Sequence, residues 1–172
     1  MARKEFSLWL MPTGKAYDKL KGLISKLSKK HSAPNFEPHV TLLGDIVEPE
    51  ESALAKTGQL ASCTNPFKIK LTGVKYLDEY FRCLFIRAEE SDEIMQANRK
   101  AQEIFNKKQG QKFMPHLSLM YGNFPAETKE EIIAEIGKEF DTSFEAKSIH
   151  LILASKKIGP KDWKKIKKFT LK

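Results

Sequence analysis

The 172-residue sequence carries 30 lysines and arginines against 22 acidic residues, a formal net charge of +8, and it contains two cysteines. Two cysteines are too few for the disulfide framework of a small secreted domain, and no run of about 18 apolar residues is present that would predict a membrane-spanning helix. We therefore expect one globular protein of the cytoplasm, without membrane association, whose positive charge favours anionic partners.

The first part of the chain predicts strands and helices in alternation. Apolar residues alternate in FSLWLM, whereas in KAYDKLKGLISKLSKKH they recur at helical spacing. Strands are expected at 6–11, 35–46 and 67–77, and helices at 15–31 and 49–62.

The second part repeats this order. A hairpin leads from the strand at 67–77 into FRCLFIRA, and further strands and helices follow. Strands are expected at 81–88, within 112–124, at 144–158 and at 163–171, and helices at 92–108 and 126–140. The lysines of the last segment fit either a solvated face or an RNA-binding surface.

An internal repeat relates the two parts. A shift of 77 positions superposes PHVT on PHLS, so that His39 meets His116 and Thr41 meets Ser118. No linker-like segment separates the repeats. We therefore predict an α+β fold of two pseudo-symmetric lobes, each an antiparallel sheet with helices outside, whose facing strands form a central groove.

The domain organisation follows from the same repeat. We expect a single bilobal domain over 1–172, internally duplicated into halves of about 1–77 and 78–172, and we leave open whether strands are exchanged between the lobes.

Each repeat carries an H-x-[T/S] motif. Side chains two apart on a strand share a face, so His39 stands beside Thr41, and His116 beside Ser118. One such motif in an apolar strand is usually structural. Two motifs at corresponding positions of a duplicated chain indicate a paired site.

Two facing imidazoles suit an in-line displacement at phosphorus. One neutral histidine takes a proton from water while the other, protonated, gives a proton to the leaving oxygen, and the hydroxyls donate to the non-bridging oxygens. This chemistry requires no metal, and the chain has no H-E-x-x-H motif or obvious carboxylate cluster. We therefore expect neither a metal site nor a cofactor.

These motifs resemble those of the 2H phosphoesterase superfamily. The segments FSLWLMP, NFEPHVTLLG, YFRCLFIRA and MPHLSLMYG look most like the cyclic phosphodiesterase branch known from plants and yeast. The resemblance implies hydrolysis of nucleoside 2′,3′-cyclic phosphates to 2′-phosphates, or of ADP-ribose 1″,2″-cyclic phosphate to ADP-ribose 1″-phosphate.

The resemblance also assigns roles to residues. It implies that His116 is the base, His39 the acid, and that Tyr121 contacts the phosphate together with Thr41 and Ser118. Near-symmetry leaves the reverse assignment of acid and base open. The position equivalent to Tyr121 in the first repeat is Gly44, which makes the groove asymmetric.

The first strand supplies two further candidates for the binding site. If Phe6, Leu8 and Leu10 face the helices, Ser7 and Trp9 face the groove, where Trp9 stacks on a base or ribose or instead packs in the core.

Two rival functions remain. The RNA 2′,3′-cyclic phosphodiesterase branch, called 2′-5′ RNA ligase-like, shares both motifs but commonly carries H-x-T-x-R, where this chain has Leu43 and Met120. A non-catalytic nucleotide- or RNA-binding module is the other. We expect a monomer that acts on a small cyclic-phosphate nucleotide, with RNA 3′ ends as the alternative substrate.

Overall fold

The computed structural model describes residues 1–108 and 110–172, which form eight strands, four α-helices and one short 3-10 helix. The strands are β1 (Arg3–Leu10), β2 (Val40–Pro49), β3 (Phe67–Lys75), β4 (Leu84–Ala88), β5 (His116–Met120), β6 (Glu139–Ala146), β7 (Ser148–Leu153) and β8 (Lys164–Thr170). The helices are α1 (Gly14–His31), α2 (Glu50–Ser62), α3 (Asp92–Ile104) and α4 (Ala126–Ile136), and the 3-10 helix is Pro160–Asp162.

The strands form one sheet in the order β6-β3-β4-β5-β2-β1-β7-β8, and every pair of neighbours is antiparallel. The predicted α+β class with antiparallel strands is confirmed. We expected a sheet in each lobe; the two groups of four strands instead join edge to edge, through the pairing of Val40 on β2 with Leu117 on β5.

Strands from both sequence repeats are present in each half of this sheet. β3 precedes the second repeat in the chain but lies between β4 and β6, whereas β7 and β8 extend the half that begins with β2 and β1. The segment 144–158, predicted as one strand, breaks at Lys147 because Ala146 pairs with β3 and Ser148 pairs with β8. The apolar alternation changes phase at this point, from Phe144 and Ala146 before the break to Ile149 and Leu151 after it, and the prediction of one strand did not take that change into account.

One side of β1 packs against the helices. Phe6, Leu8 and Leu10 are fully buried in a core that also contains apolar residues of all four helices, and Ser7 and Trp9 point to the other side of the strand. The predicted orientation of this strand is therefore confirmed. The helices cover one side of the sheet and leave the other side for a cavity.

Among the helices of the described residues, none has the length and apolar composition needed to cross a bilayer.

Candidate active site

A cavity of about 640 Å³ lies against the strands β1, β2 and β5. The structure brings every predicted site residue to its wall: Ser7, Trp9, His39, Thr41, His116, Ser118 and Tyr121. The two repeats therefore contribute to one site.

The two histidine motifs are related by the strand pair that joins the sheet halves. Val40 pairs with Leu117, and each of these residues follows its histidine directly. Antiparallel register about this pair turns His39 toward Ser118 and Thr41 toward His116, on the face opposite Val40 and Leu117. We expected His39 to lie within a strand, but it lies one residue before β2. His116 is the first residue of β5.

Both imidazoles are oriented by the same backbone contact. Nδ1 of His39 donates to the carbonyl of Glu37 at 2.7 Å, and Nδ1 of His116 donates to the carbonyl of Met114 at 2.8 Å. A carbonyl only accepts, so the proton of the neutral ring is fixed on Nδ1 in each case. Nε2 is therefore the nitrogen free to exchange a proton in both rings.

His39 is enclosed by aromatic rings. Its imidazole lies flat on the indole of Trp9, with ring centroids 3.5 Å apart and an interplanar angle of 5°, and the Phe36 ring meets it edge-on at 6.3 Å. The pKa of His39 is lowered to about 4, because burial and, to a smaller extent, the charge of His116 outweigh the hydrogen bond to the Glu37 carbonyl, which raises it.

His116 lies in a more cationic environment. Burial lowers its pKa first, and the nearby guanidinium groups of Arg82 and Arg87 lower it further, partly opposed by the bond to Met114 and by Glu79. Its ring meets Phe85 edge-on at 5.1 Å. The two histidines of the pair are thus alike in hydrogen bonding and different in surroundings.

Hydroxyl groups complete the polar wall. Ser118 Oγ donates to the Phe81 carbonyl at 3.2 Å, and the indole Nε1 of Trp9 donates to Ser7 Oγ at 3.0 Å. Tyr121 is 3% exposed and stacks on Phe36 with centroids 4.0 Å apart. Burial raises the pKa of Tyr121, so its phenol stays a protonated donor at neutral pH.

Several wall residues were not predicted as part of the site, and two of them contact its predicted residues. Trp163 reaches the cavity from the segment between β7 and β8 and lies edge-on to Trp9 at 5.7 Å. Arg82 reaches it from the β3–β4 connection, where it is held by Glu79 at 2.7 Å. Trp163 was visible in the sequence only as one apolar residue of the lysine-rich tail, and nothing in that pattern placed the tail beside β1.

No cluster of three or more histidine, cysteine, aspartate or glutamate side chains suited to a metal ion is found among residues 1–108 and 110–172.

Comparison with known proteins gives consistent results. A family model described as "Cyclic phosphodiesterase-like protein" matches residues 4–171. A cyclic phosphodiesterase of Arabidopsis thaliana is 25% identical over 146 residues, which are 85% of this chain and 80% of that protein. A 2′,3′-cyclic-nucleotide 3′-phosphodiesterase of Yarrowia lipolytica is 29% identical over 133 residues, 73% of this chain and 59% of that protein.

The fold also matches solved structures. LigT of E. coli, in its complex with 3′-AMP, superposes with a TM-score of 0.68 at 16% identity over 98% of both chains. The family model and the two curated relatives confirm the resemblance to 2H phosphoesterases drawn from the histidine motifs, and with it the phosphodiesterase class. Because the family model covers almost all of the sequence, this chain belongs to the cyclic phosphodiesterase-like protein family.

Proposed function

We propose that this protein hydrolyses nucleoside 2′,3′-cyclic phosphates to 2′-phosphates, ADP-ribose 1″,2″-cyclic phosphate to ADP-ribose 1″-phosphate, or both, without a metal ion. The observation that carries the proposal is the pair of imidazoles, His39 and His116, held by matching Nδ1 contacts in one cavity. Two such groups are what an in-line displacement at phosphorus needs, because one oxygen must lose a proton while another gains one.

The reaction on a 2′,3′-cyclic phosphate is balanced by these two groups. Nε2 of His116 takes a proton from water, the water oxygen bonds to phosphorus, and the bond from phosphorus to O3′ breaks. Nε2 of His39 gives its proton to O3′. The product is a 2′-phosphate with a free 3′-hydroxyl, and the two histidines have exchanged protonation states.

Two features support this assignment of acid and base, which the family resemblance implies. The indole face of Trp9 stabilises positive charge on the stacked ring of His39, as suits an acid. The guanidinium groups of Arg82 and Arg87 oppose positive charge on His116, as suits a base.

The substrate supplies the rest of the tuning. Burial leaves both rings neutral near pH 7 in the protein without substrate. A phosphodiester anion placed between them favours an imidazolium and raises the pKa of both histidines. Substrate binding therefore favours the protonated histidine that the reaction requires as its acid.

The hydroxyls of Thr41, Ser118 and Tyr121 are proposed to hold the non-bridging oxygens, where negative charge accumulates in the transition state, and the Ser118 hydroxyl then rotates away from the Phe81 carbonyl to donate to the phosphate. Trp9 is 5% exposed and one face of its indole is occupied by His39, which favours a positioning role for Trp9. Ser7 accepts the indole N–H and fixes the rotation of that ring.

The relatives support a small nucleotide as substrate. The Arabidopsis protein is named a cyclic phosphodiesterase, the Yarrowia protein a 2′,3′-cyclic-nucleotide 3′-phosphodiesterase, and LigT has been crystallised with 3′-AMP.

The test is hydrolysis of 2′,3′-cyclic AMP and of ADP-ribose 1″,2″-cyclic phosphate in the presence of EDTA. Phosphorus NMR separates 2′- from 3′-phosphate products. We expect turnover by the wild type and a loss of roughly 10²- to 10⁴-fold in kcat in His39→Ala and in His116→Ala. His31→Gln, at the end of α1, is the control and is expected to retain activity.

Three outcomes would contradict the proposal. Loss of turnover with chelator argues against the metal-free mechanism, and turnover that survives both alanine substitutions argues against the histidine pair. Tight binding of the cyclic nucleotide with no product identifies a binding module instead.

A further inference from the structure

A second cavity, of about 320 Å³, lies beside the first and shares two side chains with it, those of Trp9 and Trp163. Met11, Ile152, Pro160 and Phe36 make much of its wall apolar. The chemistry described above does not use this cavity. Its wall of indole rings is of the kind on which nucleobases stack.

The indole of Trp163 lines both cavities and is held in place. Its Nε1 donates to the carbonyl of Ser155 at 3.2 Å, and its ring packs edge-on against Trp9 and against Tyr121. A ring that is already held in place loses little side-chain entropy when a ligand binds to it. The two cavities are therefore adjacent and share a preorganised aromatic edge.

The polar side chains of the second cavity differ in how they are engaged. Lys21 donates to Asn35 Oδ1 at 3.1 Å and to the Phe36 carbonyl at 3.0 Å, and it forms an ion pair with Glu37. Its ammonium group is therefore engaged in holding the segment 35–37 against α1. Lys165 makes no hydrogen bond or ion pair within the described ranges 1–108 and 110–172. An unpaired ammonium at the edge of an apolar cavity is suited to a phosphate group.

The register of β8 gives Lys165 its position. Lys165 pairs with Ile152, which lines the same cavity, whereas Lys167 pairs with Leu151 of the helix-covered core. The ammonium of Lys167 lies over the Phe169 ring at 5.1 Å. Adjacent residues of β7 thus pair with lysines two apart on β8, so Ile166 is the extra residue of a bulge. The bulge places the two lysines on opposite faces of the strand, and Lys165 is the one on the side of the cavity.

We propose that the second cavity binds the nucleoside that precedes the reacting nucleotide in an RNA chain. Its base stacks on the aromatic wall, and Lys165 pairs with the phosphodiester that joins the two nucleosides. The inference rests on the proposed function, because it takes the reacting cyclic phosphate to lie between the two histidines. The enzyme would accordingly act on small cyclic nucleotides, as the names of its relatives suggest, but would act faster on an RNA end of two or more nucleotides that carries the same cyclic phosphate.

The experiment compares adenosine 2′,3′-cyclic phosphate with the dinucleotide adenylyl-adenosine 2′,3′-cyclic phosphate. We expect kcat/KM of the wild type to be roughly tenfold higher for the dinucleotide, which is a typical value for stacking one base. Lys165→Ala is expected to reduce that preference by a factor of about three and to leave kcat/KM for the mononucleotide unchanged. Lys167→Ala is the matched control and keeps the full preference.

Product binding provides a measurement that does not depend on turnover. Calorimetry compares the dinucleotide ending in a 2′-phosphate with adenosine 2′-monophosphate, and tighter binding of the dinucleotide supports the second subsite. Equal kcat/KM values with equal affinities overturn the subsite and leave the proposed function intact. Absence of turnover with both substrates contradicts the proposed function, and the affinities then decide the subsite alone.

Discussion

The indole of Trp9 lies flat against the imidazole of His39, with ring centroids 3.5 Å apart and an interplanar angle of 5°. Two opposing effects therefore act on this histidine. Burial disfavours its charged form and lowers its pKa to about 4, whereas the face of an aromatic ring attracts a cation.

The first prediction is that Trp9→Leu lowers the pKa of His39. Leucine keeps the ring in apolar surroundings but removes the π face, worth about 1 kcal/mol, so the titration of His39 should move down by about 0.7 pH unit. NMR titration of the His39 ring measures this shift. If His39 is the acid, the alkaline limb of kcat/KM moves to lower pH as well.

Trp9→Phe is the graded control for this prediction. It keeps a smaller aromatic face and should give a shift of the same sign and smaller size. An unchanged or raised pKa in the leucine variant would mean that the stack serves packing alone.

The second prediction concerns uptake of protons when an anion binds. The pKa of each histidine is lowered in the free site, and a bound phosphate raises it, so binding at about pH 6 should be accompanied by proton uptake. Calorimetry of inorganic phosphate binding in buffers of different ionisation enthalpy measures the number of protons. Affinity should rise as the pH falls.

His116→Gln is the variant that checks the origin of these protons. It keeps a polar side chain and removes one titrating group, so the uptake should decrease. Uptake that stays at the wild-type value places the protonation elsewhere.

Much of the site was predictable because it depends on local spacing. His39 and Thr41 share a face through the two-residue period of extended chain, and the shift of 77 relates them to His116 and Ser118. All four side chains line one cavity. A repeat carries this information because both copies fold by the same local rules.

The rest of the site depends on pairings that are distant in the chain. Trp163 reaches Trp9 only because β7 pairs with β1, and Arg82 reaches His116 only because β4 pairs with β5. Apolar alternation defines which side of a strand is buried but not its neighbour. For the same reason the sequence did not reveal that the strands form one sheet.

The third prediction concerns stability in acid. His150 is 7% exposed, and burial, followed by the charges of Lys165 and Lys168, lowers its pKa to about 4 from 6.5. Between pH 6.5 and 4 the unfolded chain therefore binds a proton at His150 that the folded chain does not bind. The free energy of unfolding is unaffected by this group above pH 6.5 and falls as the pH drops from 6.5 toward 4. His150→Leu should flatten the Tm profile in that range.

A second substitution, at His39, tests whether buried histidines cause the loss of stability in acid. His39 has a similarly lowered pKa, so part of the acid sensitivity should persist in His150→Leu and decrease further when His39→Leu is added. A Tm profile that is as steep in the double variant as in the wild type would assign acid sensitivity to other groups.

The fourth prediction concerns the glycine that follows Tyr121. Gly122 has a φ of +148°, and a Cβ at this position would overlap the ring of Phe124. Gly122→Ala should lower the free energy of unfolding by about 2 kcal/mol, since both backbone strain and a steric overlap must be relieved. Denaturant unfolding measures this cost.

Gly22→Ala is the control for this prediction. Gly22 lies inside α1, where a Cβ would meet no atom within 4 Å outside its own helix. The substitution should therefore raise the free energy of unfolding by about 0.5–1 kcal/mol. Equal changes in the two variants would show that the contact with Phe124 does not hold the turn that positions Tyr121.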